Sequence, residues 1–229
     1  MLDTRVPYDK STVIWSPDGE LVQLSYARRA SEKGLSAIGM ILDNETILLA
    51  GRTKADSLVE TQSKIKNVDD SLYLLASGLS SDSNLLLYQA RLIAQRHTMI
   101  YGEVIGPEAL GRQLGDIMAR HTLSGGLRAF GASLLIAGFH PADESPRILF
   151  VDNGGSFFTA KAYASGQDSE KIVGYFREHY KDGMTVEEGQ QMILDAINFT
   201  ISDQTKKLTD EDMEFHVVKP REYDDEFDY

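Results

Sequence analysis

The chain has no cysteine among its 229 residues. That excludes disulfides, thiolate nucleophiles and thiolate metal sites, and leaves the chain at ease in a reducing compartment. It has no run of ~18 apolar residues, so no segment reads as a membrane-spanning helix. The opening Met1-Leu2-Asp3-Thr4-Arg5 carries no apolar core of a secretory signal, and the expected location is cytoplasmic. Positive charge is also in short supply. With 23 Lys and Arg against 35 Asp and Glu, the net charge is −12. This argues against binding driven by a nucleic-acid backbone, so neither nucleic acid nor membrane is an expected partner.

What is present fits one large globular domain. Apolar residues make up 42% and charged residues 25%, and a chain of this length buries roughly 70% of its unfolded surface. The acidity is uneven. Asp210 to Tyr229 holds nine acids and two bases, which places −7 of the −12 there and leaves −5 on the rest. This end reads as solvated, with 219–229 as an acidic tail. The alternative is a docking strip for a basic partner.

The apolar periodicity alternates between strands and helices. Met1 to Gly19 shows no sustained period and reads as an arm. Asp18 is a candidate cap for a helix over Glu20–Lys33, in which Leu21, Leu24, Ala27 and Ala30 recur every three residues and Gly34 closes the end. Leu35–Ile41 and Thr46–Thr53 read as one strand pair, Ile65–Val68 and Leu72–Ser77 as another. Helices are expected from Ser80 and Asp82 to about Tyr101, and from Pro107 onward. Strands Gly131–Phe139, Arg147–Asp152 and Ser156–Ala164, the last with a break, come next. Asp168–Tyr180 reads as a helix. A capping box at Thr185-Val186-Glu187-Glu188 opens another, to about Ser202, and Glu214–Val218 reads as a last strand. Runs of strands followed by runs of helices point to an α+β layered fold, two antiparallel sheets face to face with helices outside.

Few residues advertise chemistry. The five histidines form no metal-ligand pair at helical spacing, so no metal is expected. His97 reads as structural, and His121 as a partner of helix-terminal carbonyls. Asn153-Gly154-Gly155 and Ser124-Gly125-Gly126 match neither a phosphate loop nor a dinucleotide fingerprint, and no cofactor is expected. Nothing singles out a carboxylate pair. Lys33 ends the first helix, and Lys64 stands at a strand entrance where an ammonium can hold a carboxylate.

One series of motifs resembles a known family. Tyr8-Asp9-Lys10, then Ser16-Pro17-Asp18-Gly19-Glu20-Leu21-Val22-Gln23-Leu24-Ser25-Tyr26-Ala27, is similar to the opening signature of proteasome α-type subunits. The likeness continues through Lys33-Gly34-Leu35, Ser63-Lys64-Ile65, Ala76-Ser77-Gly78-Leu79, Gly125-Gly126-Leu127-Arg128-Ala129-Phe130-Gly131 and Leu134-Leu135-Ile136-Ala137-Gly138, covering about residues 8 to 200. The resemblance implies the αββα sandwich of the N-terminal-nucleophile hydrolases, here over 35–218, behind a gating arm and ring-contact helix over 1–34. It implies a non-catalytic subunit of the 20S core particle. Its partners would be other α-type subunits in a seven-membered ring, β-type proteolytic subunits, the C-terminal tails of ATPase or other activators, and unfolded protein in transit. On this likeness Tyr8, Asp9, Lys10, Pro17 and Tyr26 form the gate. Gly19, Leu21, Lys33, Gly34 and Lys64 receive the activator's tail. Ser124, Gly125, Gly126 and Leu127 narrow the pore.

The same resemblance bears on catalysis. Active β relatives use an N-terminal threonine whose own amine is the base. Leu35 falls at that position, Gly51 falls where the supporting aspartate stands, and only Lys64 lies near the place of the catalytic lysine. Four substitutions depart from the α-type pattern: Lys10 for arginine, Glu20 for arginine, Ser25 for glutamate and Ala129 for proline. Two other readings stay open on sequence: a hydrolase activated by cleavage before Ser36 or another hydroxyl residue, and a ring-forming relative without a proteolytic partner.

Overall fold

The computed structural model describes residues 11, 13–43, 45–53, 58, 62–70, 72–203 and 207–220. Tyr8, Asp9 and Lys10, and the acidic tail from 221 onward, lie outside the described residues. In chain order the elements are α1 (Val22–Glu32), β1 (Ala37–Ile41), β2 (Ile47–Arg52), β3 (Ile65–Asp69), β4 (Leu72–Gly78), α2 (Ser80–Tyr101), α3 (Pro107–Leu123), β5 (Ala132–Phe139), β6 (Pro146–Val151), β7 (Phe157–Thr159), β8 (Ala162–Ser165), α4 (Ser169–His179), α5 (Val186–Thr200) and β9 (Met213–Val218).

The strands form two antiparallel sheets, ordered β8-β1-β2-β9 and β3-β4-β5-β6-β7. The strands β1, β2 and β5 are apolar almost continuously because both of their faces are covered. On β1 and β2, Ala37, Ile47 and Leu49 face the other sheet, where they meet Leu75, Leu135 and Ile148. The alternate residues Ile38, Met40, Leu48 and Ala50 face α4 and α5, packing on Ile172, Phe176, Ile193 and Ile197. The five-stranded sheet does the same with α2 and α3, through Leu74, Leu134, Ile136 and Leu149 against Leu86, Leu110, Leu114 and Met118. The result is helix, sheet, sheet, helix, the expected αββα sandwich. Burying a side chain such as Leu75 or Ile148 contributes about 1.5–3 kcal/mol.

Several boundaries differ from the sequence reading for identifiable reasons. Asp18 does not cap α1: the Gly19 amide donates to the Ser16 carbonyl and the Ser16 amide to the Glu20 carbonyl, each at 2.9 Å, so Asp18 is spent in a closed turn. The helix starts later, with Leu21 at its cap and no side-chain bond there. Asp82 does not cap α2 either; it accepts from Arg128 and Gly131. The break expected within Ser156–Ala164 is present, and it separates two strands in different sheets, β7 beside β6 and β8 beside β1. The capping box at Thr185 and Glu188 forms as expected. Of the acids from Asp210 onward, Asp210 and Glu211 are exposed, but Asp210–Asp212 form a 3-10 turn and Glu214 lies half-buried in β9, so the chain is still regular there.

Gly34 also has a role other than the expected one. A Cβ there would lie 2.2 Å from the Gly78 amide nitrogen, so it is glycine because two backbones touch. Gly78 itself has φ +121°, and a Cβ on it would lie 2.0 Å from the Gly131 carbonyl oxygen. Gly102, with φ +73°, has nothing within 4 Å. These two positions separate collision from conformational strain. Gly78→Ala is expected to lower stability by about 3 kcal/mol or more, roughly 6–12 °C in Tm. Gly102→Ala should cost about 1 kcal/mol. Thermal unfolding of the two variants checks the contrast, and equal losses would contradict it.

Candidate functional site

The segment joining α1 to β1 crosses the end of the sandwich where the chain passes from one sheet to the other. Three successive carbonyls hold it. The Gln167 amide donates to the Gly34 carbonyl at 2.8 Å and the Arg52 amide to the Ser36 carbonyl at 2.9 Å. Between them, the Leu35 carbonyl accepts from both the Lys64 ammonium and the Ser77 hydroxyl. Ser36 is 2% exposed, and its hydroxyl donates to the Gln167 carbonyl at 3.0 Å. That hydroxyl is turned into the protein.

Lys64 is positioned by its own backbone as well. Its amide donates to the Glu214 carboxylate at 2.6 Å, and the Ser63 hydroxyl donates to the other oxygen of that carboxylate. β9 thus steers the entrance of β3 although it sits in the opposite sheet. Gly51 makes room: a Cβ there would stand 2.8 Å from the Lys64 Cβ. A side chain at 51 would press on the Lys64 stem, so Gly51 and Lys64 are sterically linked.

Around Lys64 lies a cavity of about 520 Å³, lined by Leu35, Arg52, Thr53, Gln62, Ser63, Lys66, the helix-facing side of β4 and the first turn of α2. Among the described residues, three cations and no acid line it. Burial, with the neighbouring Arg52 charge adding to it, pushes the Lys64 ammonium down to about 8 from 10.5. Lys64 still carries its charge near neutral pH, and its amine is poised for anions.

The other residues picked out by the sequence fall in two further places. Pro17 and Gly19 sit in the Ser16–Glu20 turn, where Gly19 has φ +76° and Trp15 bridges Leu21. Tyr26 is 39% exposed on α1, and Lys33 is the exposed residue at its end. Within the single chain, Gly19, Leu21 and Lys33 do not line the Lys64 cavity; Gly34 reaches it through Gly78. Ser124, Gly125, Gly126 and Leu127 form the turn after α3, with φ +85° at Gly126 and the Leu127 amide 3.4 Å from the Ser124 carbonyl.

That turn is clamped at its exit. Arg128 makes a two-pronged bond to Asp82, at 2.6 and 2.7 Å, and the Gly131 amide adds a third at 2.8 Å. These donors hold the buried Asp82 carboxyl below its usual range, the Arg128 bond first. His121 leans on the same loop, with Nδ1 3.3 Å from the Arg128 carbonyl and its ring against Phe130, rather than on the carbonyls of its own helix. α1 is pinned nearby. Arg28 pairs with Asp152 at 2.8 Å, and Ser31 donates to Asn153, whose amide donates to the Phe130 carbonyl at 2.7 Å. Asn153, read from sequence only as part of a glycine turn, is therefore the anchor of the first helix.

Residues 31–218 match the model of the Proteasome subunit family. The chain is 33% identical over 213 residues to "Proteasome subunit alpha" of Pyrococcus horikoshii, covering 92% of this chain and 79% of that protein. It is 35% identical over 214 residues to the protein of that name from Methanococcus maripaludis strain C5, covering 93% and 80%. With the Archaeoglobus fulgidus protein of that name the identity is 33% over 217 residues, covering 94% and 86%.

The chain belongs to the proteasome subunit family, α type.

In this α-type subunit, sequence reasoning missed Arg52 and Lys66. Lys66 was recoverable: Lys64, Ile65 and Lys66 alternate as a strand does, so an inward Ile65 puts both lysines on one face. Asp82 and Arg128 carry no local signal, being 46 residues apart. Among the described residues, no helix is long and apolar enough to cross a membrane and no group of three or more metal-ligating acids or histidines gathers.

The buried lysine has a measurable signature. An amine whose folded pKa lies below its unfolded value binds its proton less tightly when folded, so stability rises with pH between the two. Relative to Lys64→Met, the wild-type subunit should gain stability as pH rises from about 8 toward 10.5, read as denaturant midpoints. A loss across that window would contradict burial as the cause.

Proposed function

We propose that this subunit is a non-catalytic component of a 20S proteasome: it forms the outer ring, gates substrate entrance and docks the C-terminal tails of activators. The observation that carries the reading is Leu35. It occupies the position of the nucleophile in active relatives, and it remains inside the chain, in amide linkage behind α1 with its carbonyl bound by Lys64 and Ser77. Leucine offers no nucleophile, and a non-terminal residue offers no free amine to act as base. Gly51 removes the supporting carboxylate and its space. The inward Ser36 hydroxyl speaks against activation by cleavage before it.

In this reading residues 1–34 are the gating arm and ring-contact helix, 35–218 the sandwich, and 219–229 an acidic tail. Tyr8, Asp9, Lys10, Pro17 and Tyr26 would hold the gate in its open form. Pro17 fixes φ in the closed Ser16–Glu20 turn, so a push on the turn moves the arm in front of it as a unit. Ser124, Gly125, Gly126 and Leu127 would narrow the pore, set at a fixed height by the Arg128–Asp82 clamp. Lys64 would receive an activator's terminal carboxylate, in a pocket whose other wall (Gly19, Leu21, Lys33) comes from the adjacent subunit, since one chain does not bring them together. Seven such pockets engaged at once turn weak contacts into firm docking. The proposed partners are further α-type subunits, β-type proteolytic subunits and an ATPase or other activator, with unfolded protein as the cargo in transit.

Deletion of residues 2–12 tests the gate. Particles assembled with the shortened subunit are expected to hydrolyse long, unstructured peptides several-fold faster than wild type, with hydrolysis of tripeptide substrates changed much less. Long-peptide hydrolysis that stays at the wild-type level would overturn the gate assignment.

A further inference from the structure

The cavity at Lys64 holds more positive charge than one carboxylate needs. Lys64 already spends a donor on the Leu35 carbonyl. Arg52 and Lys66 line the same space, and among the described residues neither side chain has a hydrogen bond or ion pair. The nearest acid, Glu214, is occupied by two neutral donors, the Ser63 hydroxyl and the Lys64 amide. Among the described residues no carboxylate lines the cavity, although the chain as a whole carries −12. Arg52 and Lys64 repel each other in this recess, the Arg52 charge adding to burial in lowering the Lys64 ammonium. Such a recess is stabilised by an anion that enters it.

The geometry of the lining suggests what kind of anion. Arg52 ends β2 in one sheet, and Lys66 lies on β3 in the other, two residues beyond Lys64. The cations therefore line different walls. The wall between them is apolar, made by Leu74, Ala76 and Leu87, with Ser80, Ser83 and Asn84 of the first turn of α2 at the rim. A free phosphate fits one charged corner and leaves the apolar wall bare. A peptide end fills the wall with a side chain and carries two separated negative groups. A cavity of about 520 Å³ is within the range of sites that enclose a ligand of that size.

We propose that Arg52 and Lys66 form a second anion subsite, which recognises an acidic side chain close to the C-terminus of the peptide whose terminal carboxylate meets Lys64. The partner class is an acidic C-terminal peptide, and the inference rests on the docking function proposed above. Arginine supplies a planar fork for a carboxylate and lysine a mobile point charge, so together they tolerate some variation in where the acid stands. Among the described residues neither side chain is engaged elsewhere, so neither has a bond there to break on binding.

The test uses rings of the full chain and fluorescent octapeptides read by anisotropy at ~0.1 M salt, where partly buried charge pairs are not fully screened. The peptides differ only in Glu or Gln, scanned over the three residues before the last, each made with a free or an amidated C-terminus. At one of the scanned positions Glu should bind about tenfold tighter than Gln, the effect of one charge-assisted contact. In the Arg52→Gln, Lys66→Gln double variant the preference should shrink below twofold while the preference for a free terminus remains. Equal binding of Glu and Gln peptides to wild type at every position overturns the subsite, with no variant needed. So does a Glu preference that survives in the double variant. If free and amidated ends bind alike, the terminal-carboxylate reading falls, and the Glu-against-Gln comparison still judges the subsite on its own.

Discussion

The carbonyl of Leu35 is the point on which the functional end of this subunit turns. It accepts from Lys64 and from Ser77, one at the entrance of β3 and the other on β4. Its neighbours on either side bond to Gln167 and Arg52. The strap from α1 to β1 is therefore tied to both sheets within three residues. A buried carbonyl needs a partner in any case. Here the partner is an ammonium, and the choice fixes Lys64, sets the shape of the cavity and leaves Arg52 and Lys66 as its uncommitted charges. A chain cut at this place would lose the tie, because a free amine would replace the amide that carries the carbonyl onward.

Close backbone contact makes the tie possible. Gly34 lies against Gly78, Gly78 against Gly131, and Gly166, with φ +94°, against the Gly34 carbonyl. Side chains at any of these would push α1 away from the sandwich. The same packing carries position outward. α1 is held at one end by this strap and along its side by Arg28 on Asp152 and Ser31 on Asn153. Asn153 also holds the Phe130 carbonyl, two residues from Arg128. The first helix, the turn proposed to line the pore and the lysine cavity are thus connected by short runs of hydrogen bonds, of which those through Asn153 are buried. A displacement of the Ser16–Glu20 turn has a mechanical path into the rest of the subunit. These bonds are its physical elements, and their energetic coupling is a separate quantity.

Much of the fold was legible in the sequence because its signals are local. Pro107 opened a helix, Thr185 and Glu188 formed their box, and the apolar runs of β1 and β2 marked strands buried on both faces. What failed was non-local. Asp18 and Asp82 both look like helix caps, but one lies inside the closed Ser16–Glu20 turn and the other is taken by an arginine far along the chain. The break within Ser156–Ala164 was legible, but nothing local says that Ala160 and Lys161 carry the chain from one sheet to the other. At the site, family motifs named Lys64 and Gly34, and a strand's alternation could have named Lys66. Arg52 joins them only through sheet-to-sheet packing, and Asn153 shows its role only once α1 is docked.

The most direct measurement is the intact mass of the subunit, recovered from assembled particles after treatment with an inhibitor that forms covalent adducts with N-terminal hydroxyl nucleophiles. The account predicts a chain that still carries Leu35 in amide linkage to the residues before it and has gained no mass, while β-type partner chains are labelled. A chain that begins at Ser36, or one that carries the adduct, would contradict it.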